Sequence, residues 1–190
     1  CVTGVQTCAL PISGVGKGTQ AIRLKQFFDI IHLSTGEILR NEVASKSEIG
    51  KEAKTFMDEG KLVPDSVLLK MMEIRLSSAD CTSGYLLDGF PRTIPQAEGL
   101  DKILKKLNHQ LSAVISLTAD KDELLNRLVL RGKESGRSDD TPEVIEKRQI
   151  IYWAQTAPLL RYYSKSNIVH DVNGMGAIAD ITDRITKNFA

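Results

Sequence analysis

Cysteine is scarce in this chain of 190 residues: three in all, Cys1, Cys8 and Cys81. They supply neither a disulfide framework nor the clustered ligands of a structural zinc site, and they fit a reducing compartment, the cytoplasm. Charge of one sign is lacking too. Twenty-five Lys and Arg against 24 Asp and Glu leave a net charge of +1, so no global field draws nucleic acid or an anionic membrane. Neither is expected as a partner, and any anionic ligand must be held by locally gathered arginines. No apolar run approaches the ~20 residues that span a bilayer. The N-terminus has no basic region of the signal-peptide kind, and "CALPI" is too short for such a core. The chain opens on Cys1 rather than methionine, which implies a natural start that is missing or altered. Repeats, low-complexity tracts and Pro/Gly/Ser linkers are absent as well. With 42% hydrophobic and 26% charged residues, the composition is globular rather than disordered, and the length suits one domain, 1–190, with small inserted lobes.

What is present is an alternation of helices and short apolar runs. Thr19 to Phe28 reads as a helix with Ala21, Leu24, Phe27 and Phe28 on one side. "DIIHLS" (29–34) reads as a strand, after which Ser34 or Thr35 can cap "GEILRNEVAS". A helix over "SEIGKEAKTFMDEG" ends at Gly60, and Pro64 and Asp65 open another, whose Val67, Leu68, Met71, Met72 and Leu76 form an apolar face. The two methionines are read as core. "GYLLDG" (84–89) is a compact buried strand ending in a carboxylate, "IPQAEGLDKILKKL" a helix, and "LSAVISL" (111–117) a strand. Asp120 caps a helix to about Leu130. A polar loop, "RGKESGRSDDTP", leads into one long helix from about Pro142 to Lys165, then strand "NIVHDV" and helix "AIADITDRITKNF". Strands alternating with helices predict an α/β fold, a central parallel sheet of about five strands flanked by helices. Ligands in such sheets bind at the C-terminal strand ends, where the glycine loop, Asp88 and Asn173 fall.

The chemistry begins at "GVGKGTQ" (14–20). A phosphate needs several N–H groups aimed at one point and a cation, and glycines let the backbone curl closely enough. Gly14, Gly16 and Gly18 with Lys17 meet that need, with a helix directly behind. Taken alone, the stretch could also be a flexible turn before a helix. It departs from the full G-x-x-x-x-G-K-[ST] pattern: Pro11 stands at its first glycine and Gly18 at its hydroxyl position, with Thr19 one place later.

The Gly18-Thr19-Gln20 variant, followed in order by "HLSTGEILR" (32–40), "GKLVPD" (60–65), "YLLDGFPRTIPQAE" (85–98) and "LRGKESGRSDD" (130–140), resembles the adenylate kinases and their nucleoside monophosphate kinase relatives. The likeness runs from about Ser13 to the C-terminus and implies a P-loop kinase fold. In the family's terms, 34–63 would be the AMP-binding lobe and 131–141 a short lid. The resemblance implies ATP and AMP as substrates and Mg²⁺ bound with ATP. Arg40 and Arg92 would hold the AMP phosphate, Thr35 and Gln96 its adenine, and Lys61, Leu62 and Val63 would close around the base, with Gly89, Phe90 and Pro91 also on the AMP side. Gly14, Val15, Gly16, Lys17, Gly18 and Thr19 would cradle the ATP phosphates, Arg127 and Arg131 would contact ATP, and Gly176 would let its base approach the backbone. Arg137 and Arg148 would converge on the phosphates in flight. Asp88 would orient water around Mg²⁺, with no direct protein ligand to the metal. Transfer between phosphates asks for positioning and charge neutralisation rather than a base, and arginine's planar fork suits it. The catalytic set would be Lys17, Asp88, Arg92, Arg131, Arg137 and Arg148. A monomer is expected.

Plainer readings stand beside these. Arg127 and Arg131, four apart, could be a solvated helix face, and Arg148 could pair with Glu143 or Glu146. Asp139 and Asp140 are read as orienting arginines or capping a helix. His32, His109 and His170 lack the positioned partner that nucleophilic or metal chemistry would require and are assigned to structure or surface. UMP/CMP kinases share the glycine loop and "SGRSDD", and Thr35 and Gln96 tilt the reading toward AMP. The few residues from Gly132 to Gly136 leave no room for a long lid, and no cysteine lies nearby for zinc.

The lead-in "CVTGVQTCALPI" disagrees with the rest. A central parallel strand should be a near-continuous Val/Ile/Leu run, yet this one holds Thr3, Gly4, Gln6 and Thr7, and Pro11 lacks the N–H a bend there would use. "GVQTCALPIS" also looks like translated sequencing-adapter sequence joined to a truncated gene. A chain with this front end is expected to fold less stably or bind ATP poorly, and a catalytically impaired nucleotide-binding protein is the third reading.

Overall fold

In the computed structural model, residues 6–9, 14–120, 124, 127–128 and 141–189 are described. Five strands among them form one parallel sheet in the order β2-β3-β1-β4-β5: β1 (Gln6–Ala9), β2 (Ile31–Ser34), β3 (Tyr85–Asp88), β4 (Ala113–Thr118) and β5 (Val169–Asn173). Gln6–Ala9, from the lead-in, thus forms the central strand, with Cys8 opposite Leu87 on one side and Val114 on the other. Pro11 lies outside the described residues.

Alternation along the strands divides the core in two. Tyr85, Leu87 and Val114 face one hydrophobic cluster, together with Met72, Phe90, Leu100 and Leu159. Leu86, Ile115 and Leu117 face the other, with Val15, Leu24, Ile181 and Ile185. Period-two side chains on a sheet covered on both faces produce this division. Helices α1 (Lys17–Phe28) and α8 (Ile178–Thr186) cover the second face. They are tied by Gln20, whose amide donates to the Ile178 carbonyl (3.0 Å) and accepts from the Thr182 hydroxyl (2.8 Å). Phe28 rests edge-on against Phe189. Its neighbour Phe27, expected on the same stripe, is 65% exposed, because adjacent helical residues point about 100° apart.

Helices α2 (Thr35–Ala44), α3 (Glu48–Asp58), α4 (Asp65–Leu76) and α5 (Ile94–Leu107) belong with the first cluster. Three of the four start on side-chain caps: the hydroxyls of Ser34, Ser47 and Thr93 accept from the amides of Glu37, Gly50 and Gln96, while α4 opens behind Pro64 without one. Met71 and Met72 are buried as expected. Gly50 allows the α2–α3 corner to close, since a Cβ there would lie 2.0 Å from the Glu42 carbonyl oxygen.

The long helix expected from Pro142 to Lys165 is instead three pieces: α6 (Pro142–Ile151), a π-helical turn over Tyr152–Thr156, and α7 (Pro158–Ser164). Pro158 is the cause. It offers no N–H to the carbonyl four residues back, and its ring crowds that carbonyl. The backbone widens by one residue, and Ala157 donates to Tyr152, five back, at 2.9 Å. Of the helix expected from Asp120 to Leu130, Leu124, Arg127 and Leu128 are described and helical. Among the described residues no helix is long and apolar enough to cross a membrane.

Candidate active site

The C-terminal strand ends gather the chemistry. The connection after β1 runs to α1 on one face, and the connection after β3 to α5 on the other; a crevice opens where such connections diverge. Gly14 and Gly16 take φ of +92° and +91°, a region that favours glycine. At Gly14 a Cβ would also meet Leu128 Cγ at 2.7 Å. Between them Val15 is plugged into the core, and Lys17 opens α1, so the loop ends on a helix N-terminus. The loop after β5 presses on it: a Cβ at Gly174 would lie 2.8 Å from Val15. Arg127 Nη1 donates to the Gly174 carbonyl (3.5 Å), and Arg184 donates to those of Asn173 and Met175. Gly176, in the same loop, has φ +102°.

Asp88 ends β3, opposite both Ala9 and Ser34, and is 7% exposed. Burial pushes its carboxyl upward, but a hydrogen bond from His32 and the charges of Lys17 and Arg92 outweigh it and hold the group below its ordinary value. His32 Nε2 lies 3.3 Å from Asp88 Oδ2. His109 Nδ1 likewise meets the Tyr85 hydroxyl at 3.3 Å, so both histidines have hydrogen-bond partners that the sequence did not suggest.

The turn after Asp88 is tightly tied. Gly89 takes φ +80°, and the Phe90–Pro91 peptide is cis. Thr35 donates to the Gly89 carbonyl (3.0 Å), as does Arg92 Nε (2.9 Å). Phe90 is wholly buried beneath. Gln96 is wholly buried as well: its Oε1 accepts from the Arg92 amide (2.7 Å) and its Nε2 donates to Asp65 Oδ1 (2.7 Å).

One cavity collects many of the expected residues. Lys17, Arg40, Lys61, Arg92 and Arg148 give it five cations, and Thr35, Gly89 and Pro91 line it between them. Lys61, Leu62 and Val63 line it too, next to the apolar side chains of Leu39, Met57, Leu68 and Ile151. Gln96 stands behind this wall. Gly14, Val15, Gly16, Gly18, Thr19, Arg127 and Gly176 lie toward the glycine loop and the β5 end, apart from this cavity wall. Arg131, Arg137, Asp139 and Asp140 lie outside the described residues. Sequence reasoning assigned His32 to structure or surface and gave Asp65, Thr156 and Arg184 no part in the site. What brings His32 to the carboxylate is parallel pairing, which sets Ser34 against Asp88 and lays β2 alongside it.

A glycine loop opening a helix, a buried ionised carboxylate and converging cations at the ends of a parallel sheet define a P-loop α/β nucleotide kinase. Residues 10–168 match the family described as adenylate kinase. Proteins named adenylate kinase from a Nocardioides species and from Stenotrophomonas maltophilia are each 45% identical over 172 residues, covering 90% of this chain and 90% and 92% of theirs. One from Flavobacterium psychrophilum is 47% identical over 175 residues, 92% of both chains. The chain belongs to the adenylate kinase family, as its motifs led us to expect.

Proposed function

We propose that this chain transfers a phosphoryl group reversibly from ATP to AMP, giving two ADP. The observation that carries this reading is the single cavity in which Lys17, Arg40, Arg92 and Arg148 meet a wall of Leu39, Met57, Val63 and Leu68. The cations suit a phosphate, and the apolar side chains suit a base. In this reading Arg40 and Arg92 hold the acceptor phosphate, Lys17 sits between donor and acceptor, and Arg148 with Arg137 neutralises charge spread over the group in flight. Gly14–Thr19 cradle the donor phosphates, Arg127 and Arg131 flank ATP, and Gly176 lets its base approach. Thr35 and Gln96 choose adenine, the latter from behind the cavity wall.

Mg²⁺ entering with ATP would add charge neutralisation on the donor phosphates. The residues present fit it through water: Asp88 is ionised, nearly buried and within the field of Lys17. The lobe 34–63 and the lid 131–141 close over the substrates and exclude water. The protein works as a monomer in the cytosol; its buried free thiol, Cys81, is at home there.

A coupled ADP assay with AMP, CMP and UMP tests the acceptor, and AMP should turn over fastest. Faster UMP turnover would make the chain a UMP/CMP kinase. Lys17→Met should cut kcat by at least about a hundredfold, and wild-type turnover would remove Lys17 from the transferring phosphate.

A further inference from the structure

The widened turn before Pro158 has an effect at the cavity. On a regular helix Thr156 would sit about 80° around from Arg148; absorbing one extra residue turns it back to within about 20°. Arg148, Ile151, Tyr152 and Thr156 accordingly line the same cavity. Thr156 is 6% exposed, and its hydroxyl donates to the Arg92 backbone carbonyl at 2.9 Å. This bond spans 64 residues of sequence. It joins the helical segment that carries Arg148 to the turn that carries Arg92. On the other flank of that turn the Arg92 amide is already held by Gln96, and Gln96 by Asp65. Both backbone polar groups of Arg92 are therefore fixed by side chains from other elements or the next turn.

We propose that Thr156 is a positioning residue for the acceptor phosphate: its bond to the Arg92 carbonyl sets the register between the Arg92 turn and the Arg148 helix, so that both guanidinium groups address one ligand. This rests on the reading of Arg92 as a phosphate-binding arginine. The hydroxyl is the working part. The methyl packs, and serine keeps the donor without it. Misplacing a charged anchor by a fraction of an ångström weakens a bidentate phosphate contact while leaving the fold and the donor loop in place.

The experiment compares Thr156→Val, Thr156→Ala and Thr156→Ser with the unaltered chain, varying AMP at saturating ATP and the reverse, and records thermal unfolding with and without AMP. Valine and alanine should raise KM for AMP about tenfold, the order of one lost hydrogen bond, leave KM for ATP within about twofold, and shrink the stabilisation by AMP. Serine should restore the AMP value. Alanine adds no bulk, so the comparison with serine stands even where the valine chain does not fold. Unchanged AMP kinetics in the alanine chain, equal rises for ATP and AMP, or a serine chain as impaired as alanine would each overturn the proposal. Arg92→Met is the control: were it to leave KM for AMP unchanged, the reading of Arg92 would fall instead.

Discussion

At the scale of single residues, Asp88 is a carboxylate held below its ordinary value where little water reaches it. Burial alone would drive Asp88 toward its neutral form; His32, Lys17 and Arg92 reverse that. A carboxyl whose pKa falls on folding binds its proton less tightly in the native state. Its contribution to stability is therefore complete above the ordinary value of 3.8 and is lost as pH falls through the lower native value. In thermal unfolding across pH, the gap between the unaltered chain and Asp88→Asn should persist through the neutral range and narrow only below about pH 4. A gap that closed already at pH 6 would show the carboxyl is not held down. His32 is the residue whose part was least legible beforehand. Its imidazole meets Asp88 only because β2 and β3 pair in register, and pairing is a tertiary fact that no local pattern carries.

At the scale of elements, caps and glycines were readable because each acts over three or four residues. Ser34 capping α2, Gly60 ending the segment after α3, and the strand ending in Asp88 were all expected and are found. The helix from Pro142 to Lys165 was not read correctly, because its apolar periodicity continues across Pro158 while its backbone bonding cannot. Past that interruption, α7 is anchored to α5 by the Tyr162 hydroxyl, which donates to Asp101 at 2.6 Å. That bond to the carboxylate, helped by burial, pushes the phenol up to about 12 from its ordinary 10.0. A raised native pKa gives stability that is whole below the unfolded value and fades as pH rises through the native one, so the anchor weakens between about pH 10 and 12. Tyr162→Phe should melt lower at pH 8 and lose less of its remaining stability between pH 10 and 11.5. Equal alkaline slopes for the two chains would mean the bond does not form in solution.

At the scale of the whole molecule, the two faces of the sheet meet at β1, the strand with the least suitable sequence. Much of the cavity lining was expected because its motifs are local and sit at strand ends; the front of the chain reads poorly because its residues and its position disagree. β1 is hydrogen-bonded on both sides, to β3 and β4, in a sheet packed on both faces, yet it carries Gln6 and Thr7. The family match begins at residue 10, just past it. Polar side chains in such a strand cost stability unless each finds a partner, on the order of 1–3 kcal/mol apiece. Gln6→Val with Thr7→Ile should therefore raise the thermal midpoint, by about 2–4 °C for each kcal/mol regained in a domain of this size. Because the glycine loop is the next described segment after this strand, a firmer β1 should also hold Gly14–Lys17 more rigidly, lowering KM for ATP while KM for AMP stays level. A midpoint that does not move, or that falls, would mean β1 already satisfies its polar groups and that the front segment is no burden on the fold.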